Sequence, residues 1–136
     1  MLTLAQIIFR LLVAAVLAGL VGLERESKDK PAGLRTNILV GIGSALIMMI
    51  SLYFDADAAR IAAGVVTGIG FIGAGLVIQG RNEVHGITTA AAIWVVSAIG
   101  LTVGAGYYAP AVVTTAIALI VLYFFQDSKL KTMMRE

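Results

Sequence analysis

Between Ile61 and Ile78 the chain runs for eighteen residues without a charge. That is within the length that carries an α-helix through the hydrocarbon of a bilayer. Wound at about 100° per residue, it separates into two faces. Ile61, Val65, Ile69, Ile72 and Leu76 form one bulky stripe. Gly64, Gly68 and Gly75, with Ala63, Thr67, Gly70 and Ala74, fill much of the other side. Phe71 and Ile78 intrude on that small arc, and Gly73 lies outside it. In lipid, apolar burial does not drive helices together, so close backbone approach through small residues takes over. The expectation is a helix whose bulky stripe faces lipid and whose glycines (Gly64, Gly68, Gly70, Gly73, Gly75) receive neighbouring helices, making it the central packing element.

The same letters contain Gly68-x-Gly70-x-x-Gly73, formally a dinucleotide fingerprint. That motif needs a strand before it and an acidic residue about 20 positions on. Here it falls inside an apolar helix, and nucleotide binding is not expected. Hydrophobic residues make up 60% of the chain and charged ones only 13%, about half the charge of a soluble domain. The 136 residues suit one domain, an all-α integral membrane protein. There is no cysteine, hence no disulfide or thiolate chemistry. The pI near 9.2 accompanies a net charge of only +2, so the basic residues are read as topology signals rather than as a nucleic-acid surface.

Five spans are expected, at about 4–23, 38–54, 61–78, 88–106 and 109–125, followed by a short polar tail, 126–136, with no carboxyl-terminal soluble domain. Thr36 or Asn37 is the expected cap of the second span and Thr88 or Thr89 that of the fourth. Pro110 suits the first turn of the fifth. With the amino terminus outside, Arg25, Lys28, Lys30, Arg35, Arg81, Lys129, Lys131 and Arg135 all fall on the inner side, against Arg60 alone in the outer turns. That asymmetry predicts an outer amino terminus and a cytoplasmic carboxyl terminus.

Several separated motifs occur in order: Gly19-x-x-Gly22-x-Glu24-Arg25-Glu26, Pro31-Ala32-Gly33-Leu34-Arg35-Thr36-Asn37, the Gly68–Gly75 run, Val84-His85-Gly86-Ile87-Thr88-Thr89-Ala90-Ala91, and Gly100 to Tyr107. Together they resemble the membrane domain of the MgtC/SapB family of bacterial inner-membrane proteins. The resemblance implies a multi-pass protein of the inner membrane concerned with magnesium homeostasis and growth at low magnesium, and in some members with virulence or acid tolerance. Many members carry a cytoplasmic carboxyl-terminal domain as well. The name "magnesium transport ATPase protein C" is attached to the family, but this sequence has no GxxxxGK[ST] phosphate loop. No enzymatic activity is expected.

Glu24, Arg25 and Glu26 close the first span, and Arg35, Thr36 and Asn37 open the second. A short loop joins them, so these charges are expected to meet at the cytoplasmic face. A boundary pair of this kind is often functional; the alternative is an interfacial anchor whose side chains snorkel to water. Glu24 and Glu83 are weak candidates for holding magnesium, which takes about six oxygen ligands. His85 is a poor ligand for so hard a cation, and its imidazole could instead sense acid. Asp55 and Asp57 suit a solvated outer turn. Arg10 is the oddest charge: it could snorkel outward, pair with Asp55 or Asp57, or lie with residues 1–10 in the interface. Trp94 is expected to be a packed indole. No cofactor is implied; magnesium enters as a ligand or signal.

Two readings follow. One is a regulatory module that docks through its small-residue faces on itself or on another membrane complex. The other is a small oligomeric transporter or channel for magnesium or another cation, with unwound glycine-rich backbone as ligand. A homodimer is expected, because so much small-residue surface exceeds what one bundle can use.

Overall fold

The structure, a computed structural model, describes residues 2–54, 58–79 and 84–125. Five helices follow one another: α1 Leu4–Ser27, α2 Leu34–Ser51, α3 Ala58–Leu76, α4 Ile87–Gly104 and α5 Tyr108–Phe124. Between α3 and α4, β1 (Ile78–Gln79) pairs antiparallel with β2 (Val84–His85), with Ile78 opposite His85. The first four helices are long and apolar enough to cross a membrane. The fifth, with 17 residues, spans about 26 Å at 1.5 Å per residue, close to the lower limit. The expected Asp55, Asp57, Arg81 and Glu83 and the tail at 126–136 lie outside the described residues.

The ends of the helices differ from the expected ones for local reasons. Thr3 and Gln6 form a reciprocal capping box: Gln6 N–H donates to Thr3 Oγ1 at 3.3 Å and Thr3 N–H to Gln6 Oε1 at 2.9 Å. Two orphan donors are thereby satisfied, so Gln6 starts the helix and residues 4–10 do not lie apart from it. At the other end α1 continues through Glu24, Arg25 and Glu26 to Ser27. Neither Thr36 nor Asn37 caps α2, and neither Thr88 nor Thr89 caps α4; those positions belong to Gly33 and Gly86. Gly86 has φ 90°, and a Cβ on it would run into the Leu76 carbonyl. Only glycine meets both demands there.

The third helix is not the centre. It lies at the edge of the bundle, against α4 and α2, while α4 packs against each of the other four helices. Half of the α4 span is buried and only 11% of the α3 span. The physical reason lies in which glycines find a backbone. A Cβ on Gly41 would sit 2.5 Å from Ala18 Cβ. One on Gly100 would overlap the Gly41 carbonyl, and one on Gly104 the Ala45 carbonyl. These residues bring α1, α2 and α4 to near-backbone contact, the small-residue packing expected in lipid, but on other helices. On α3 the orientation is reversed: Ile69 of the bulky stripe is buried, and nothing lies within 4 Å of Cβ positions on Gly64, Gly68, Gly70 or Gly75. Gly73, the glycine outside the small arc, is the one that packs, 3.5 Å from Ala90 Cβ. The core itself runs through Ala14, Leu17, Ala45, Ile99, Val103 and Ala111, with Ala18, Val21 and Val96 beside it.

Candidate functional site

Charged side chains converge where α1 ends, α2 and α4 begin and α5 ends. Glu24 and Lys28 stand one turn apart on α1, with Oε1 and Nζ 2.6 Å apart. The other Glu24 oxygen is 3.4 Å from Arg25 Nη1. Neither carboxylate oxygen accepts a well-aligned hydrogen bond, so charge rather than hydrogen bonding holds the triplet. Lys28 also donates to the Leu122 carbonyl at 3.1 Å and lies 5.2 Å from the Tyr123 ring centre. A cation on the last carbonyls of α5 complements the negative end of that helix and ties α1 to it.

Glu26, exposed, and Asn37, buried, both bond the connection between α1 and α2. Glu26 Oε2 accepts the Leu34 N–H at 2.6 Å, capping a helix whose own N-cap, Gly33, has no side chain to offer. The approach is close: a Cβ on Gly33 would be 2.6 Å from the same oxygen. Asn37, wholly buried, donates from Nδ2 to the carbonyls of Ala32 and Gly33 at 2.6 and 2.9 Å. These two residues build the turn. Arg35 and Thr36, by contrast, are exposed, and Arg35 forms no ion pair with Glu24, because α2 turns positions 35 and 36 outward when Asn37 faces α1.

Arg25 is 4% exposed, and its Nε has no hydrogen-bond partner. It lines a cavity of about 900 Å³. Lys28, Lys30, His85, Thr88 and Thr89 share that wall. Thr89 is buried, whereas His85 and Thr88 are exposed. Three separate sequence candidates, His85, Thr88 and Thr89, thus meet Arg25 across the bundle. Lys28 was not among the sequence candidates, although the i,i+4 spacing from Glu24 is a signal for it.

Magnesium fits this set poorly. Among the described residues no three His, Asp or Glu side chains come together, and Glu24 already has an ammonium at 2.6 Å, where a divalent cation would have to stand.

Arg10 belongs to the opposite end. The last turn of α4 closes as a Schellman motif: Gly106, at φ 91°, donates to Val103 O at 2.9 Å and Tyr107 N–H to Thr102 O at 3.0 Å. Ala105 N–H takes Leu101 O. The Gly104 carbonyl is left over, and Arg10 Nη1 donates to it at 2.6 Å. Arg10 is therefore a helix cap supplied by a neighbouring helix; Asp55 and Asp57, its other expected partners, lie outside the described residues. Trp94 is 49% exposed on the outside of α4 instead of packed within, since the inner faces of that helix are filled by Ile93, Val96, Ser97 and Gly100.

The family model for the MgtC family matches residues 11–130. The chain belongs to the MgtC family. It is 43% identical to an Escherichia coli (strain K12) protein named "Putative magnesium transporter YhiD", over 95% of this chain and 65% of that protein. It is 37% identical to "Protein SrpB" of Synechococcus elongatus, over 87% of this chain and 74% of the relative. With "Protein MgtC" of Brucella abortus (strain 2308) the identity is 41%, over 79% of this chain and 46% of the relative. The chain thus spans less than two thirds of the length of the YhiD and Brucella relatives. No solved structure gives a significant match.

Proposed function

We propose that this MgtC-family chain serves magnesium homeostasis in the bacterial inner membrane as a regulatory packing module, not as an ATPase or other enzyme. The observation that carries the reading is the arrangement of polarity in the bundle. Ser97, Thr102 and Thr115 donate to carbonyls of their own helices, at 2.9, 2.7 and 2.8 Å. Apolar side chains and glycine backbone fill most of the space between helices, with Asn37 and Ser44 the small polar side chains set against Gly22 and Gly100. Polar groups in a transport path line a cavity that runs through the span, whereas the polar cavity beside Arg25 lies at one end of the bundle. The outward surface is where this chain has contacts still to make. Gly64 and Gly68, one turn apart on α3, line a groove of about 590 Å³ against Leu39, Gly43 and Ile47 of α2. Two copies meeting through this face would form a homodimer by close backbone approach, and the same face suits another membrane protein.

The insertion direction that fits is amino terminus outside, with the Glu24–Arg25–Lys28 cluster at the cytoplasmic surface, because the basic residues gather on that side. The name of the Escherichia coli relative favours a second reading, magnesium transport by an oligomer. Liposomes carrying the purified chain and an internal magnesium-sensitive dye separate the two. No flux, with a dimeric mass by light scattering in mild detergent that Gly64→Leu/Gly68→Leu halves, supports the regulatory reading. Uptake that disappears in Glu24→Gln overturns it.

A further inference from the structure

We infer that the cavity beside Arg25 is a binding site for a phosphate group, supplied by the headgroup of an anionic phospholipid. Two independent features point to an anion. The first is the start of α4. This 18-residue helix opens on the cavity through Gly86, Ile87, Thr88 and Thr89. Its N-cap is a glycine that offers no side-chain acceptor, and its first turn holds no acidic residue. The first N–H groups of a helix lack partners within it, and the helix dipole places partial positive charge there, so the position favours phosphate.

The second feature is Arg25. Its guanidinium is almost wholly buried, its Nε has no partner, and its nearest anion, Glu24, stands 3.4 Å away and is already neutralised by Lys28 at 2.6 Å. The Nε donor, buried without an acceptor, is costly, the ion pair to Glu24 engages only Nη1, and the planar fork of arginine matches phosphate oxygens. Lys28 and Lys30 add positive charge to the wall, and Asp29 is the carboxylate that lines it. With Glu24 included, three lysine or arginine cations face two carboxylates, leaving one positive charge for a ligand to balance, with His85 at the rim.

Size and the remaining wall choose the source. About 900 Å³ exceeds what a free phosphate needs. The same cavity is bounded by Val121, Leu122 and Phe125 at the end of α5, and Phe125 and neighbouring Phe124 are largely exposed. An amphiphile satisfies both halves: the phosphate meets Arg25 and the α4 amino terminus while acyl chains lie along α5.

The test uses the purified chain in mild detergent and native mass spectrometry, with phosphatidylglycerol and phosphatidylcholine offered separately and inorganic phosphate titrated in parallel. The expected result is retention of phosphatidylglycerol about tenfold over phosphatidylcholine, lost in Arg25→Gln and weakened severalfold in Lys30→Gln, with Arg35→Gln unchanged. Lys30 is exposed, so its variant decides the matter if Arg25→Gln does not fold. Saturable binding of inorganic phosphate that depends on Arg25 or Lys30, without selective lipid retention, would keep the phosphate site and transfer it to a soluble ligand. Equal retention of both lipids with no phosphate binding, or selective retention indifferent to Lys30→Gln, overturns the inference.

Discussion

Replacing Arg10 with methionine removes the one side chain that, among the described residues, reaches the Gly104 carbonyl at the end of α4, the helix against which the other four pack. A hydrogen bond from a charged group contributes about 1.5–3 kcal/mol. A cation at a helix carboxyl end adds about 0.3–1 kcal/mol. Against these stands the burial of Arg10 Nε without a partner, which costs about 1–3 kcal/mol and is relieved by the substitution. The balance is a loss of about 1 kcal/mol, roughly a fivefold change in the folded-to-unfolded ratio. Arg10→Lys keeps the charge but offers a shorter, single-headed donor and is expected to fall between. Denaturant titration in mild detergent reads this out through Trp94, the one tryptophan, which lies on α4 itself. Gly106→Ala supplies a cross-check. Its φ of 91° disfavours any Cβ, and that Cβ would stand 3.0 Å from Arg10 Nη2. Part of its cost should therefore vanish when Arg10 is already methionine. An Arg10→Met protein as stable as the parent, or more so, would refute the capping argument and leave Arg10 as a charge merely tolerated.

Glu26→Ala should cost about 1 kcal/mol through loss of the α2 cap, measured by the same titration. Gly100→Val should prevent folding altogether, since its side chain would occupy the Gly41 carbonyl and Ser44 positions, and far-UV circular dichroism with gel filtration shows this at once. Gly75→Ala, with open space around it, should leave the protomer fold intact or raise its stability by up to about 0.5–1 kcal/mol. Arg35→Gln should lie within about 0.5 kcal/mol of the parent, as expected for an exposed side chain without a partner among the described residues.

The five apolar segments were legible because length and lack of charge are sufficient signals for a helix in lipid. The hub was not, and the reason is specific. Gly64-x-x-x-Gly68 on α3 and Gly100-x-x-x-Gly104 on α4 are the same kind of motif, and nothing within either ranks them. What selects the second is a complementary partner elsewhere: Gly41 and Ala45 of α2, spaced one turn apart, receive Gly100 and Gly104 in register. A two-faced pattern like that of α3 reports that a helix has distinct sides without saying which turns inward, whereas α4, apolar on every side, shows no face at all. The charged end was legible in its residue types and partly in its geometry. Glu24 and Arg25 do meet, whereas the sharing of one cavity wall by Arg25, His85, Thr88 and Thr89 is not legible in the sequence, where the two threonines read as helix caps. Arg35 does not, because its direction is set by Asn37, whose burial follows from hydrogen bonds to the Ala32 and Gly33 carbonyls that spacing alone does not reveal.

The outward glycines of α3 add a second support to the docking reading, because nothing stands within 4 Å of Cβ positions on Gly64, Gly68, Gly70 or Gly75. In lipid an exposed Phe71, at 85%, has lost nothing, since acyl chains solvate it as well as protein does. A glycine face is different: acyl chains can cover it, but only another helix can approach its backbone closely enough to gain the dispersion contacts that a missing side chain permits. Free energy remains to be released there on association, and that favours docking over a self-sufficient pore. If the chain is monomeric in mild detergent and Gly64→Leu/Gly68→Leu captures and loses nothing in the membrane, lipid fills the groove. The regulatory reading then loses its surface, and the Arg25 cavity alone would have to explain what the bundle does.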